Sequence, residues 1–173
     1  MSSRPGLTPA TIRRAAGLAL ALALVLAAGC GAAGNGAPVS LVLNAVDGGD
    51  LALTTHRGKV VVLHLFTTWS LDANRDLPQL EEAARRDDTV VIGVILDLEG
   101  FRVALPWRKV AQVHYALALA GDELREGRTS LGKIDVVPTT VVLDRAGRPV
   151  ARVTRPLADG ELARLVRQAA SSR

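Results

Sequence analysis

The chain has 173 residues, enough for one compact domain plus a targeting segment; 49% are apolar and only 3% aromatic, so Val, Leu and Ala must fill the core. Its formal charge of +4 does not signal nucleic acid: Arg4, Arg13 and Arg14 precede Cys30, residues 30–173 hold 18 basic against 17 acidic groups, and no basic stripe is interleaved with aromatics. A lone cysteine, Cys30, excludes an internal disulfide, a disulfide framework and a Cys-rich zinc site.

Residues 1–29 read as a lipoprotein signal peptide. Three arginines without an acid precede the apolar run 15–28 (AAGLALALALVLAA), which is shorter than the roughly 20 residues a spanning helix needs. The run ends Leu26-Ala27-Ala28-Gly29-Cys30, which resembles a bacterial lipobox, although Ala27 stands where a larger aliphatic residue is commoner. The resemblance implies that Cys30 is the lipidation site and the first residue of the mature protein; the alternative is an ordinary signal peptide with a chance cysteine. Two or three acyl chains, at about 0.8 kcal/mol per buried CH2, hold a protein stably on a membrane. Residues 30–38 then form the lipidated cysteine and a small-residue tether, and 39–173 the folded domain.

Within that domain, residues 39–43 are β-prone, Asp47-Gly48-Gly49-Asp50 is a turn signal and Leu51–Thr54 returns, which predicts a hairpin. His56-Arg57-Gly58-Lys59 is a loop, and Val60–Phe66 (VVVLHLF) is an apolar run suited to a strand covered on both faces. A helix is predicted over 71–86, with Leu71, Leu77, Leu80 and Ala84 as its apolar stripe and a kink at Pro78. Thr89–Leu96 is a second buried strand. Residues 100–112 suit a helix interrupted by Pro106, His114–Ala120 a short strand, and 122–133 a polar helix or loop. Thr139–Leu143 is a third apolar strand. Asp144–Arg148 is a turn and Pro149–Val153 an edge strand. A last helix is capped by Asp159, with Leu162, Leu165 and Val166 inward and Arg164 and Arg167 outward. The order of elements predicts an α/β domain with helices on both faces of a sheet.

Two stretches carry a resemblance. Gly58-Lys59, the apolar strand 60–66, Thr67-Thr68-Trp69-Ser70-Leu71-Asp72-Ala73 and a helix containing Pro78 are similar to the TlpA/ResA-like thioredoxin family, which reads Gly-Lys, strand, Trp-Cys-x-x-Cys, then a proline-containing helix. Val136-Val137-Pro138-Thr139-Thr140-Val141-Val142-Leu143-Asp144-Arg145-Ala146-Gly147 resembles that family's cis-proline segment with its following strand and turn. The resemblance implies a thioredoxin-like fold, a central mixed β-sheet flanked by helices with an N-terminal β-hairpin. It also places the two family cysteines on Ser70 and Ala73. Thiol–disulfide exchange needs a thiolate to attack sulfur and a second thiol to resolve the mixed disulfide. A serine hydroxyl and an alanine methyl supply neither, so Ser70 and Ala73 are degenerate positions and no catalytic residue is expected.

Other residues have two readings each. Ser70 is a helix N-cap or a nucleophile, and the second needs an adjacent base that the sequence does not show. Pro138, by resemblance, follows a cis bond from Val137, against a trans turn proline. Trp69 flanks the old active site or is a partly exposed aromatic; with Ser70, Val137 and Pro138 it would form a peptide-binding groove. His64 titrates near neutral pH or is a hydrogen-bonded core histidine. Asp72 and Asp76 suit the positive end of the first helix better than acid–base work. Asp97 and Glu99 sit in a loop after a strand. His56, His64 and His114 lack metal-ligand spacing, so neither metal nor cofactor is expected.

The leading expectation is a redox-inactive, lipid-anchored protein of the cell envelope, facing the periplasm or exterior, that binds an envelope protein or peptide. Gly31 lacks the aspartate that favours inner-membrane retention in some Gram-negative bacteria, which favours the outer membrane. The alternatives are a thiol–disulfide oxidoreductase relative serving envelope redox homeostasis or cytochrome maturation through partner thiols, and a purely structural envelope component.

Overall fold

The computed structural model describes residues 36–172; the expected signal peptide and the expected lipidation of Cys30 fall outside them. The described elements are β1 (Val42–Ala45), β2 (Asp50–Ala52), a 3-10 turn (Leu53–His56), β3 (Val60–Phe66), α1 (Leu71–Ala84), β4 (Thr89–Ile95), α2 (Phe101–Ala111), β5 (Ala116–Leu119), α3 (Asp122–Arg125), β6 (Thr139–Leu143), β7 (Pro149–Val153) and α4 (Glu161–Ser171). Seven strands form one mixed sheet in the order β2-β1-β5-β4-β3-β6-β7. β3, β4 and β5 run parallel, joined by α1 and α2 as crossovers, while the β1–β2 hairpin and the β6–β7 hairpin close the two sides antiparallel.

The all-apolar stretch Val60–Phe66 becomes the central strand, every residue of it buried, because both faces are covered. Val60, Val62 and Phe66 face a core shared with α1, α2 and α4 (Leu80, Ala104, Leu162 and Val166). Val61, Leu63 and Leu65 face a second core with Val39, Leu41, Leu53, Leu124 and Leu131, where the chain segments before β1 and before β6 take the place of long helices. Gly93 on β4, paired with His64, has no side chain because the space is taken: a Cβ there would come 2.6 Å from Leu117 Cδ2 and 3.1 Å from the Tyr115 ring.

Several local expectations are corrected. Leu71 is 79% exposed, since it opens α1 where the helix has not yet reached the sheet, and Ala73, Asp76, Leu80 and Ala83 face inward instead. Pro106 does not interrupt α2, which is continuous from Phe101 to Ala111, as α1 is continuous through Pro78; each proline forfeits one backbone bond, and burial of an adjacent face (Leu80 and Ala83, Ala104) offsets it. Asp159 does not cap α4. Gly160 holds the cap position at φ 68° and offers no side chain; the first-turn Leu162 N–H donates instead to Gln79 Oε1 at 3.3 Å, while the Glu161 carboxylate ties down the preceding segment by accepting the Ala158 N–H at 2.9 Å and a two-bonded Arg155 guanidinium. Asp76 is not a surface group at the helix's positive end: it is fully buried. β1 starts later than the β-prone residues 39–43, because Val39 and Leu41 lie in the second core before pairing with β2 begins at Val42, and β2 is Asp50–Ala52 rather than residues 51–54, the 3-10 turn taking over at Leu53.

Candidate functional site

Three loops meet at one end of the sheet. The parallel register sets Phe66 beside Ile95, and the antiparallel register sets Leu65 beside Thr139. The loop after β3 (Thr67–Ser70), the loop after β4 (Leu96–Gly100) and the segment before β6 (Val136–Pro138) are therefore neighbours, at the crevice beyond the ends of parallel strands where α/β sheets commonly place their sites.

Each loop is held by specific bonds. Asp97, 5% exposed, accepts the Thr68 N–H through Oδ2 and the Thr68 hydroxyl through Oδ1, both at 2.8 Å. Arg125 on α3 donates to the carbonyls of Leu96 and Asp97 from beneath, at 3.4 and 3.1 Å. The sequence showed Asp97 only as a loop acid; its role in fixing the Trp69 loop needs the strand pairing to be seen. The Val137–Pro138 peptide is cis, and Thr139 Oγ1 closes that turn by donating to Val136 O at 2.6 Å.

At the mouth of α1, Ser70 is the N-cap and its hydroxyl accepts the Ala73 N–H at 3.3 Å. Ala73 is buried against the core. The described residues contain no thiol, since Cys30 precedes them. Trp69 is 74% exposed, Leu98 85% and Val136 49%, so the three loops each present an apolar side chain to solvent, with Leu71 beside them. Isolated exposed apolar residues are ordinary; here one stands on each of three neighbouring loops.

Behind the mouth lies a pair of buried titratable groups. His64 on β3 is fully buried; its Nδ1 is 3.0 Å from Thr140 Oγ1, and its ring stacks on Phe66 with centroids 5.3 Å apart. Asp76 on α1 accepts the Leu157 N–H through Oδ1 at 2.9 Å, and its Oδ2 is 4.0 Å from His64 Nδ1. His64 Nε2 and Asp76 Oδ2 have no hydrogen-bond partner. Burial holds the imidazole down, to about 4 from an ordinary 6.5. Burial lifts the Asp76 carboxyl to about 6 from 3.8, against the Leu157 N–H that favours its anion, with Asp72 and Glu161 pushing it further up and Arg155 down. The core-histidine reading of His64 holds, with one ring nitrogen satisfied rather than two. His56 and His114 sit elsewhere, His114 on Glu81 at 3.2 Å. Among the described residues no group of three or more His, Cys, Asp or Glu side chains is gathered for a metal ion, and no helix is long and apolar enough to cross a membrane.

No family model and no curated protein matches the chain. Solved structures do. A Bacteroides thetaiotaomicron protein assigned as a disulfide isomerase is 25% identical, with 77% of this chain and 85% of that one covered at a TM-score of 0.65. A DsbF homologue from Corynebacterium diphtheriae is 23% identical over 78% and 87% of the two chains, at 0.67. A thioredoxin-family thiol:disulfide interchange protein from Chlorobium tepidum is 21% identical over 78% and 95%, at 0.65. The chain has the thioredoxin-like fold that these thiol–disulfide oxidoreductases share.

Proposed function

We propose that this is a TlpA-type thioredoxin-like lipoprotein of the cell envelope that has lost dithiol chemistry and works by binding a protein or peptide partner. The observation that carries this reading is the mouth of α1: Ser70 is engaged as a helix cap and Ala73 is a buried methyl, so no sulfur stands where exchange would begin. The apolar rim of Trp69, Leu71, Leu98 and Val136 is the contact surface, with Ser70, Val137 and Pro138 at its floor. Acylation at Cys30 holds the domain on a membrane, the outer one where there are two. No cofactor is required.

A photo-crosslinking residue in place of Trp69, in the membrane-bound protein, tests the binding reading. A discrete adduct that disappears on Val136→Asp is the expected result. Crosslinking that is absent, or unchanged by Val136→Asp, contradicts it.

One observation favours a second reading: the solved neighbours are described as thiol–disulfide oxidoreductases, isomerases and interchange proteins. On that reading the domain serves envelope redox homeostasis or cytochrome maturation by presenting a partner's thiols. The two readings separate by whether the captured partner carries a redox-active cysteine pair.

A further inference from the structure

The chain enters the domain at the end of the sheet opposite the Trp69 rim. Val39 N donates to Gly147 O at 2.8 Å, and Arg57 Nη2 donates to Val39 O at 2.9 Å. Gly58 N donates to Arg145 O at 2.8 Å and Val60 N to Asp88 O at 3.0 Å. The incoming chain, the start of β3, the α1–β4 turn and the β6–β7 turn are thus one surface. The seven residues of β3 separate it from the Trp69 loop, a distance of about 23 Å at ~3.3 Å per residue.

This surface is basic in a domain that is not. Residues 36–172 hold 17 basic and 17 acidic groups. Around the incoming chain stand Arg57, Lys59, Arg85, Arg86, Arg145 and Arg148, against Asp87, Asp88 and Asp144. Two of those acids are already engaged: Asp144 by Arg148 Nε and by the Ala146 and Arg148 N–H groups, Asp88 by Arg86 and Arg145. Lys59 and Arg85 are exposed, and no ion pair among the described residues engages them.

The chain outside the described residues sets what this surface meets. Only five residues lie between Cys30 and Gly36, so the six steps from one to the other reach at most about 20 Å when fully extended. The geometry points to a docking face for anionic phospholipid headgroups: the short tether brings the Arg57–Lys59–Arg85–Arg145 surface down onto the membrane and turns the Trp69 rim away from it. The inference rests on the lipidated-Cys30 reading. Juxtamembrane basic residues are attracted by anionic leaflets within about a Debye length, and the tether keeps the domain in that range. The outward rim is then presented to partners in the aqueous compartment rather than to lipid.

The test uses the full chain, processed and acylated in its host and reconstituted into vesicles. With Cys30 acylated, an introduced cysteine is the only free thiol. A fluorophore at Ala146→Cys reports the basic face and one at Leu98→Cys the rim, each against nitroxide lipids that quench near the headgroups. In vesicles of about one third phosphatidylglycerol in phosphatidylcholine, quenching at position 146 is expected to exceed that at 98 several-fold. The difference is expected to collapse in pure phosphatidylcholine, on raising salt from about 0.1 M to about 1 M, and in the triple variant Lys59→Glu/Arg85→Glu/Arg145→Glu. Equal quenching at the two positions, or a difference insensitive to phosphatidylglycerol, salt and charge reversal, overturns the docking face while the anchor stands. Protein that does not float with vesicles and shows no acyl adduct on its mature N-terminal peptide overturns the anchor, and the docking face with it.

Discussion

Asp76 Oδ2 lies 4.0 Å from His64 Nδ1, with both side chains sealed from solvent under the mouth of α1. The two groups act on stability with opposite signs over the same pH range. The imidazole is held down to about 4, so between about 6.5 and 4 the unfolded chain takes up a proton that the folded one refuses, and His64 removes stability as pH falls. The carboxyl is lifted to about 6, so between about 6 and 4 the folded chain takes the proton first, and Asp76 adds stability as pH falls. Wild-type stability is therefore expected to be shallow in pH between 4 and 6. Asp76→Asn is expected to unmask the histidine and give stability that rises with pH across that window; His64→Asn unmasks the aspartate and gives the reverse slope. Each slope amounts to on the order of 2–3 kcal/mol across the window. Urea unfolding at pH 4, 5, 6 and 7 reads both; slopes of the same sign in the two variants contradict the pairing.

The Thr68–Asp97 clamp is a second target. Thr68→Val keeps the shape and removes the hydroxyl, leaving one oxygen of a buried carboxylate without its partner. A loss of about 1.5–3 kcal/mol is expected, with faster hydrogen exchange confined to residues 67–70. A change spread evenly over the sheet would show that the clamp does not act on the Trp69 loop.

Ser70 and Ala73 differ in what they contribute. Ser70→Ala is expected to cost about 1 kcal/mol through loss of the cap, measured by thermal unfolding. Ser70→Cys with Ala73→Cys places a thiol at a helix N-terminus, where the thiolate is favoured, and a second within the same turn. This pair is expected to accelerate insulin disulfide reduction by dithiothreitol. A folded double variant that stays inert would mean the surrounding site lacks more than sulfur.

Trp69, 74% exposed, contributes little to the core. Trp69→Ala is expected to change stability by no more than about 0.5 kcal/mol while abolishing partner capture by the membrane-bound protein. Capture at wild-type levels would move the contact surface elsewhere.

Much of this was legible in the residues. Val60–Phe66, Thr139–Leu143 and Pro149–Val153 are strands with the bounds that their apolar runs and turn signals give, because a continuous Val/Leu run bounded by Gly-Lys or Asp-Arg-Ala-Gly has few other solutions. The Ser70 cap followed from residue type and position. Asp76 was not legible: a carboxylate in the second turn of a helix reads as a solvent-facing charge, and only the docking of α4, which brings the Leu157 N–H to it, makes burial tolerable. Asp97 was hidden for a similar reason, since its partner Thr68 is 29 residues away and meets it through the parallel pairing of β3 with β4. Leu71 misled because the hydrophobic period does not tell the first turn of a helix, still clear of the sheet, from the turns packed on it.

The most direct test is an insulin-reduction assay on the mature wild-type protein, with dithiothreitol as the terminal reductant. The rate is expected to equal that of dithiothreitol alone at every protein concentration. A rate that rises in proportion to added protein would contradict the account, because it would require a reacting group at a helix mouth that holds only a capped serine and a buried methyl.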